Sequence, residues 1–373
     1  MSIAAVSLRK ALEWIEDGRP MAVATLVETE GSSPLEVGAM MVIDGDHNIE
    51  GSVTGGCVEG ALVQEGGEVL SGQPARVKTY GISDELAGSV GLMCGGTVHV
   101  FVERLEGQSR DVLGRVLSAA VEARPAAVAT LLDGEDAGAR LAVIDGETVG
   151  GLGLEFLDKT VNRETRGMLE QGITGIRRYG ADGAAMGSDL RVSVRSFTEP
   201  PRMIIFGAID FSVATAALAR QLGYRVTIAD PREPFIRSPR FAEVAEVVVD
   251  WPDRYLEGQE LEERDVVLVF SHDAKLDEPA LIAALSSGAG YVGALGSRRT
   301  QSERVKRLLD AGVAQDEIDR IAAPCGLDIG ARTPPETAVS ILGEVIANQN
   351  ARAADSLSET EGPIHPRRQL AGS

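Results

Sequence analysis

Leu8, Leu12 and Ile15 recur at intervals of four and three in the opening stretch "MSIAAVSLRKALEWIEDGRP", a period that predicts an amphipathic helix. The pattern that follows appears twice. "GRPMAVATLVETE" (18–30) parallels "ARPAAVATLLDGE" (123–135), and "AMMVIDGDHNIEGSV" (39–53) parallels "ARLAVIDGETVGGLG" (139–153). "ARVKTYG" (75–81) then parallels "TGIRRYG" (174–180), and "GTVHVFVERL" (96–105) parallels "SDLRVSVRSF" (188–197). Each copy reads as helix, strand, hairpin, helix, strand, strand, with "DG" and neighbouring polar residues supplying the turns. Two copies are too few, and their spacing too long, for a solenoid. They predict a duplicated α+β domain over residues 1–198, with repeats at 8–105 and 113–197.

Past the linker "FTEPPR" (197–202) the pattern changes to alternating strands and helices. "MIIF" (203–206) reads as a short buried strand, followed by a turn and a helix from about Ser212 to Leu222. Gly223 ends that helix, and "RVTIAD" (225–230) is the next strand. "EVVVDW" (246–251), "DVVLVF" (265–270) and "YVGALG" (291–296) are further apolar runs of strand length. The fold class is therefore α/β, with a Rossmann-like doubly wound parallel sheet over residues 202–349 behind the duplicated domain. Residues 350–373, rich in turn formers and poor in apolar side chains, are expected to be disordered.

Charge narrows the partners. The chain carries 36 Lys and Arg against 56 Asp and Glu, a formal net charge of −20. Such a field repels polyanions and argues against nucleic acid or an anionic membrane. No run reaches the ~18 consecutive apolar residues of a membrane span, and the N-terminus lacks a basic start before a long apolar run, so the expected location is cytoplasmic. The cysteines Cys57, Cys94 and Cys325 build no disulfide framework and match no zinc spacing, yet each lies beside glycine: "GGC", "CGG", "PCG". A buried apolar role is the ordinary reading of each. The internal repeat favours more for two of them. Where the first copy has "GGCVEG" (55–60) and "LMCGG" (92–96), the second has "LGLEFL" and "GAAMG".

In the second half, a strand, Gly207, a helix and then Asp230 closing the next strand fit a dinucleotide site with the acid on a ribose. The turn "GAIDFS" departs from that fingerprint: Ile209 and Ser212 replace the second and third glycines, and Asp210 puts a carboxylate near the helix N-terminus. That carboxylate is expected to occupy the protein's own anion site. "SHD" (271–273) and "GSRRT" (296–300) end two other strands, where ligands of such sheets bind. Ser297 can cap the helix that follows, and Arg298 and Arg299 in its first turn suit a bound anion or a solvated surface. Asp273 and Asp328 are the acids expected to face the same crevice.

The chain as a whole resembles the XdhC/CoxI family, the xanthine dehydrogenase accessory proteins. The matching stretches are "GSSPLEVGAMMVIDGDHNIEGSVTGGCVE", "LMCGGTVHVFVE", "ADPR", "SHDAKLDEPAL", "YVGALGSRRTQSER" and "PCGLDIGARTPPETAVSIL". Together they run nearly the length of the chain in the family's order. The resemblance implies a chaperone that binds molybdenum cofactor (a molybdopterin) during sulfuration by a cysteine desulfurase. Insertion into an apo xanthine dehydrogenase-type molybdenum hydroxylase then follows, by binding and handover rather than catalysis. The family's GAGH-type turn is "GAID" here, so NAD(P) binding and an NAD(P)-dependent oxidoreductase stand as the alternative. A homodimer is expected.

With that resemblance, the cofactor-binding candidates in the first half are Gly55, Gly56, Cys57, Glu59, Cys94 and Gly95. Those in the second are Gly207, Asp230, His272, Asp273, Gly296, Ser297, Arg298, Arg299, Gly326 and Asp328. Cys57 is the candidate metal ligand, since a soft thiolate suits molybdenum. The "TGGC" amides are expected to form a nest for an anionic group, and Glu59 either orients the site or lies on a solvated helix face. No residue is given a catalytic role.

Overall fold

The repeated pattern folds into repeated structure. A computed structural model describes residues 3–81, 96–180, 187, 189–271 and 273–361, and among these two compact units form, residues 3–199 and 200–360. In the first unit, copy one contains α1 (Ile3–Glu16), β1 (Met21–Glu30), β2 (Met40–Asp44), β3 (Ile49–Gly51), α2 (Glu59–Leu70), β4 (Arg76–Tyr80) and β5 (Thr97–Leu105). Copy two contains α3 (Gly107–Val121), β6 (Ala126–Leu131), β7 (Arg140–Ile144), β8 (Glu147–Gly151), α4 (Glu155–Glu170), β9 (Gly175–Tyr179) and β10 (Leu190–Phe197). The sheets have one antiparallel topology, β3-β2-β1-β5-β4 and β8-β7-β6-β10-β9.

Alternation along the central strands explains the layering. Ala22, Ala24 and Leu26 of β1 pack with Leu62 and Val69 of α2, while Val23 points the other way, with Leu8, Leu12 and Ile15 of α1 and Leu113 and Leu117 of α3. In copy two, Ala129 and Leu131 pack with Val161 and Met168 of α4. Val27, Phe101 and Leu132 join the two sheets directly. Each of the Val, Leu, Ile, Phe and Met side chains taken fully from water contributes about 1.5–3 kcal/mol before chain entropy is counted.

The strand registers refine the repeat. Thr25 pairs with Met40 and Thr130 with Arg140, so Met40 and Arg140 are equivalent. The second hairpin closes on the two-residue turn Asp145–Gly146, both at positive φ, whereas the first takes a longer loop held by Asp44. The β3–α2 segment and its partner have one spacing: buried Val53, Val58 and Leu62 match Leu152, Leu157 and Val161.

The second unit contains β11 (Arg202–Phe206), α5 (Asp210–Gln221), β12 (Arg225–Ala229), α6 (Glu233–Ile236), α7 (Pro239–Ala242), β13 (Glu246–Val248) and α8 (Pro252–Glu257). It continues with β14 (Val266–Val269), α9 (Ala274–Leu285), β15 (Tyr291–Ala294), α10 (Arg298–Asp310), α11 (Gln315–Ile318), β16 (Ile321–Ala322) and α12 (Pro334–Gln349). All neighbours are parallel, in the order β13-β12-β11-β14-β15-β16, with β11 and β14 flanking the topological switch point. Buried residues of β11, β12 and β14 pack with α5 and α12 on one face and with α9 and α10 on the other. The strand expected over 246–251 stops at Val248: Pro252 occupies the first turn of α8, and Trp251 is its N-cap. Helix α5 starts at Asp210, two residues earlier than its polar start suggested.

Among the described residues no helix is long and apolar enough to cross a membrane.

Candidate functional site

The two copies differ in backbone path just before α2. Glu59 is equivalent to Asp158, and each carboxylate holds the backbone six residues upstream. Val53 N–H donates to Glu59 at 3.1 Å, and Leu152 N–H donates to Asp158 at 2.7 Å. In copy two α4 has already begun at Glu155. In copy one the corresponding turn is not helical; Gly55 and Gly56 adopt φ of +75° and +120°, which side chains with a Cβ rarely take. The loop they form closes around the carboxylate instead.

Glu59 is only 8% exposed and receives six donors. Besides Val53 they are the Ser52 hydroxyl (2.5 Å), the Thr54 amide and hydroxyl (both 2.8 Å), and the amides of Gly56 (2.8 Å) and Val58 (3.2 Å). Burial on its own would raise the carboxyl pKa, but the hydrogen bonds from Ser52 and Thr54 outweigh it and hold the group at about 2. Glu59 is therefore not on a solvated helix face. The expected anion nest is also filled from within. Gly55 N–H donates to Ser52 Oγ at 2.8 Å, and the Thr54 and Gly56 amides are taken by Glu59.

The thiol carried by this loop is that of Cys57. Its side chain is half-buried, leaning on the α2–β1 core, and its sulfur has no hydrogen-bond partner among the described residues. The equivalent residue in copy two is Phe156. Cys325 is different in kind. It lies in the core of the second unit beside Tyr291, and burial, aided by the Glu344 carboxylate, pushes its thiol up to about 12. Such a thiol stays protonated at neutral pH. The glycine beside Cys325 is accounted for by packing: a Cβ on Gly326 would lie 2.5 Å from Ser340 Oγ. Cys94, Gly95 and His272 lie outside the described residues. Among the described residues no three His, Cys, Asp or Glu side chains converge as a metal site.

In the second unit Gly207, Asp230, Asp273, Gly296, Ser297, Arg298, Arg299, Gly326 and Asp328 all follow the carboxyl ends of strands, so the topology sets them along one sheet edge. At Gly207 the ends of β11 and β14 come close: a Cβ there would lie 2.9 Å from the Ser271 nitrogen. Asp230 is buried, accepts the Ala208 amide at 2.8 Å and holds Arg232 through that residue's amide, Nε and Nη2. Burial opposes its ionisation, but Arg232 and the Ala208 amide outweigh it and lower the pKa. The carboxylate occupying the turn is thus Asp230. Asp210, expected in that role, is the first helical residue of α5; its side chain points outward and pairs with Arg240.

Ser297 does cap α10, accepting the Thr300 amide at 3.1 Å, and Asp273 caps α9 through the Lys275 amide at 3.0 Å. Arg299 is almost fully exposed and pairs with Glu303. The Arg298 side chain is exposed without a polar partner among the described residues, and Asp328 is exposed. Two arginines were missed by sequence reading. Arg232 is one. Arg304 is the other: fully buried, it bonds Asp277 at 3.1 Å and the Leu295 carbonyl at 2.9 Å, anchoring the chain just before Gly296. Only the placement of an arginine within the polar stretch "SRRTQSERVKRL" hinted at it.

A duplicated α+β unit and a Rossmann-like unit, the first bearing a cysteine loop wound on a buried glutamate, define a narrow class. Residues 203–345 match the XdhC Rossmann domain, and residues 14–81 match the XdhC and CoxI family. The chain belongs to that family. It is 26% identical over 347 residues to a probable xanthine dehydrogenase subunit of Bacillus subtilis, covering 89% of this chain and 94% of that one. It is 27% identical over 349 residues to the molybdenum cofactor insertion chaperone PaoD of Escherichia coli, covering 94% and 90%. A crystal structure described as a xanthine dehydrogenase from Bacillus halodurans matches with a TM-score of 0.69 at 25% identity, over 96% of this chain and 98% of that one.

Proposed function

We propose that this protein is an accessory factor that binds molybdenum cofactor as cargo and assists its sulfuration and insertion into a xanthine dehydrogenase-type molybdenum hydroxylase. The observation that carries the reading is the Cys57 loop. One copy of the scaffold gives up its first helical turn to display a thiol, and the other copy does not. The two family matches and the names of the B. subtilis and E. coli relatives support the choice of pathway.

The donor set suits this cargo. Cys57 offers a soft sulfur to molybdenum, and the loop beneath it is rigid because Glu59 satisfies its amides. In the second unit taken by itself, Arg298, exposed at the head of α10, is a cation available to an anion despite the overall charge of −20. Residues 1–198 and 202–349 would be the two domains of this factor, a cysteine desulfurase the sulfur donor, and a homodimer the working state. Native mass spectrometry of the protein expressed with molybdate tests the reading: a bound molybdopterin is expected, and a bound nicotinamide cofactor without pterin would contradict it.

The strand order of the second unit favours the alternative, a nicotinamide-dependent oxidoreductase. Against it stand Ile209 at the turn and the engagement of Asp230 by Ala208 and Arg232, which leaves that acid little freedom to meet a ribose. A fluorescence titration with NADH separates the two readings.

A further inference from the structure

The pseudo-symmetry of the first unit breaks at one charged position. In the sheet registers Val23 pairs with Glu103 and Val128 pairs with Arg195, so Glu103 and Arg195 are equivalent, as Met40 and Arg140 are. The flanking glycines repeat the correspondence. A Cβ on Gly138 would meet Glu103 Oε2 at 2.7 Å, and one on Gly38 would meet Arg195 Cγ at 3.3 Å. At the first of these places Glu103 and Arg140 form a buried ion pair, reinforced by Ser109. At the second, an arginine stands where the acid was and a methionine where the arginine was.

Arg195 is left with a cation and no anion. Its guanidinium lies 4.5 Å over the Phe197 ring and has no ion pair or hydrogen-bond partner among the described residues. Burial alone holds its pKa down, to about 10. The side chain lines a cavity of about 20 Å³ between the two sheets. Thr25, Thr130 and Ser193 line it too, their hydroxyls free of protein partners among the described residues. A half-buried cation with no carboxylate beside it is better stabilised when something of opposite sign joins it. The size of the space decides what: ~20 Å³ admits a single water-sized occupant, not a phosphate ester or a pterin.

We propose that this cavity is a monovalent-anion site, taking an ion of chloride size between Arg195 and the hydroxyls of Thr25, Thr130 and Ser193. The ion supplies the negative charge that position 40 lacks and ties the two copies of the repeat together. The site is independent of the cofactor reading above.

Thermal unfolding of the full chain at constant ionic strength tests it, with chloride titrated against gluconate, an anion too large for the cavity. The expected result is a saturable rise in Tm with chloride, roughly 3 °C or more at this chain length. Met40→Glu supplies the missing carboxylate, and Arg195→Met removes the cation; the chloride-dependent rise is lost in each. If one variant does not fold, the other still decides. An anomalous bromide peak beside the Arg195 guanidinium in bromide-soaked crystals is also expected. The absence of that peak, equal Tm in both salts, or a chloride response surviving in the folded variants would overturn the proposal.

Discussion

Thr54 holds both oxygens of Glu59: its amide donates to Oε1 and its hydroxyl to Oε2, each at 2.8 Å. This grip, repeated by the neighbouring amides, converts a glycine-rich stretch into a fixed loop that carries Cys57. Rigidity here comes from a buried charge satisfied by backbone, as at a helix cap, rather than from packing alone.

Removing that charge should loosen the loop. For Glu59→Gln the expected loss is about 2 kcal/mol, since hydrogen bonds to a charged acceptor contribute ~1.5–3 kcal/mol. Urea unfolding reads the stability, and the rate of reaction of Cys57 with a thiol reagent, expected to rise several-fold, reads the loop. An unchanged rate with an unchanged midpoint would mean that Glu59 does not hold it.

The same carboxylate sets a pH dependence. Its folded pKa of about 2 lies below the ordinary value of 4.5, so its stabilising contribution is complete above about pH 4.5 and is lost as pH falls toward 2. The stability difference between the parent and Glu59→Gln is therefore expected to shrink from pH 5 to pH 3. Denaturant midpoints of both proteins across that range provide the check, and a constant gap would argue against the assignment.

Between the two copies of the repeat, Glu103 and Arg140 form a pair with about 3% side-chain exposure each. Breaking such a pair strands a charge, so Glu103→Gln is expected to cost about 3–5 kcal/mol. Replacing both residues with methionine should recover most of that loss, because neither charge is then left buried. A double-mutant cycle by chemical denaturation measures both outcomes.

Cys57 and Cys325 should separate cleanly by reactivity. Iodoacetamide at neutral pH is expected to modify Cys57 in the folded protein and to reach Cys325, whose thiol is buried and held near 12, only after unfolding. Peptide mapping of native and denatured samples tells them apart.

Much of the architecture was legible because it rests on period and repetition. The paired blocks led to two sheets of one topology, and the alternation after residue 202 led to a parallel sheet of Rossmann order. Individual carboxylates were less legible, since their partners depend on where a side chain points at a helix start. The sequence sets Asp210 at the turn and Asp230 toward a ribose; the geometry of the first helical residue turns Asp210 outward, and Asp230 fills the turn. Glu59 suited either the orienting of a site or a solvated helix face, and only the path of residues 52–58 decided. Buried arginines such as Arg304 leave no trace in a hydropathy pattern, because their position is set by a tertiary partner, Asp277.

The central claim is that Cys57 is the contact for molybdenum cofactor. Its most direct test is the molybdenum and pterin content of Cys57→Ser against the parent, each purified from cells supplied with molybdate and matched for folding by circular dichroism. The account predicts a loss of most of the bound cofactor with an unchanged melting curve. Cofactor retained at the parent's level would contradict it.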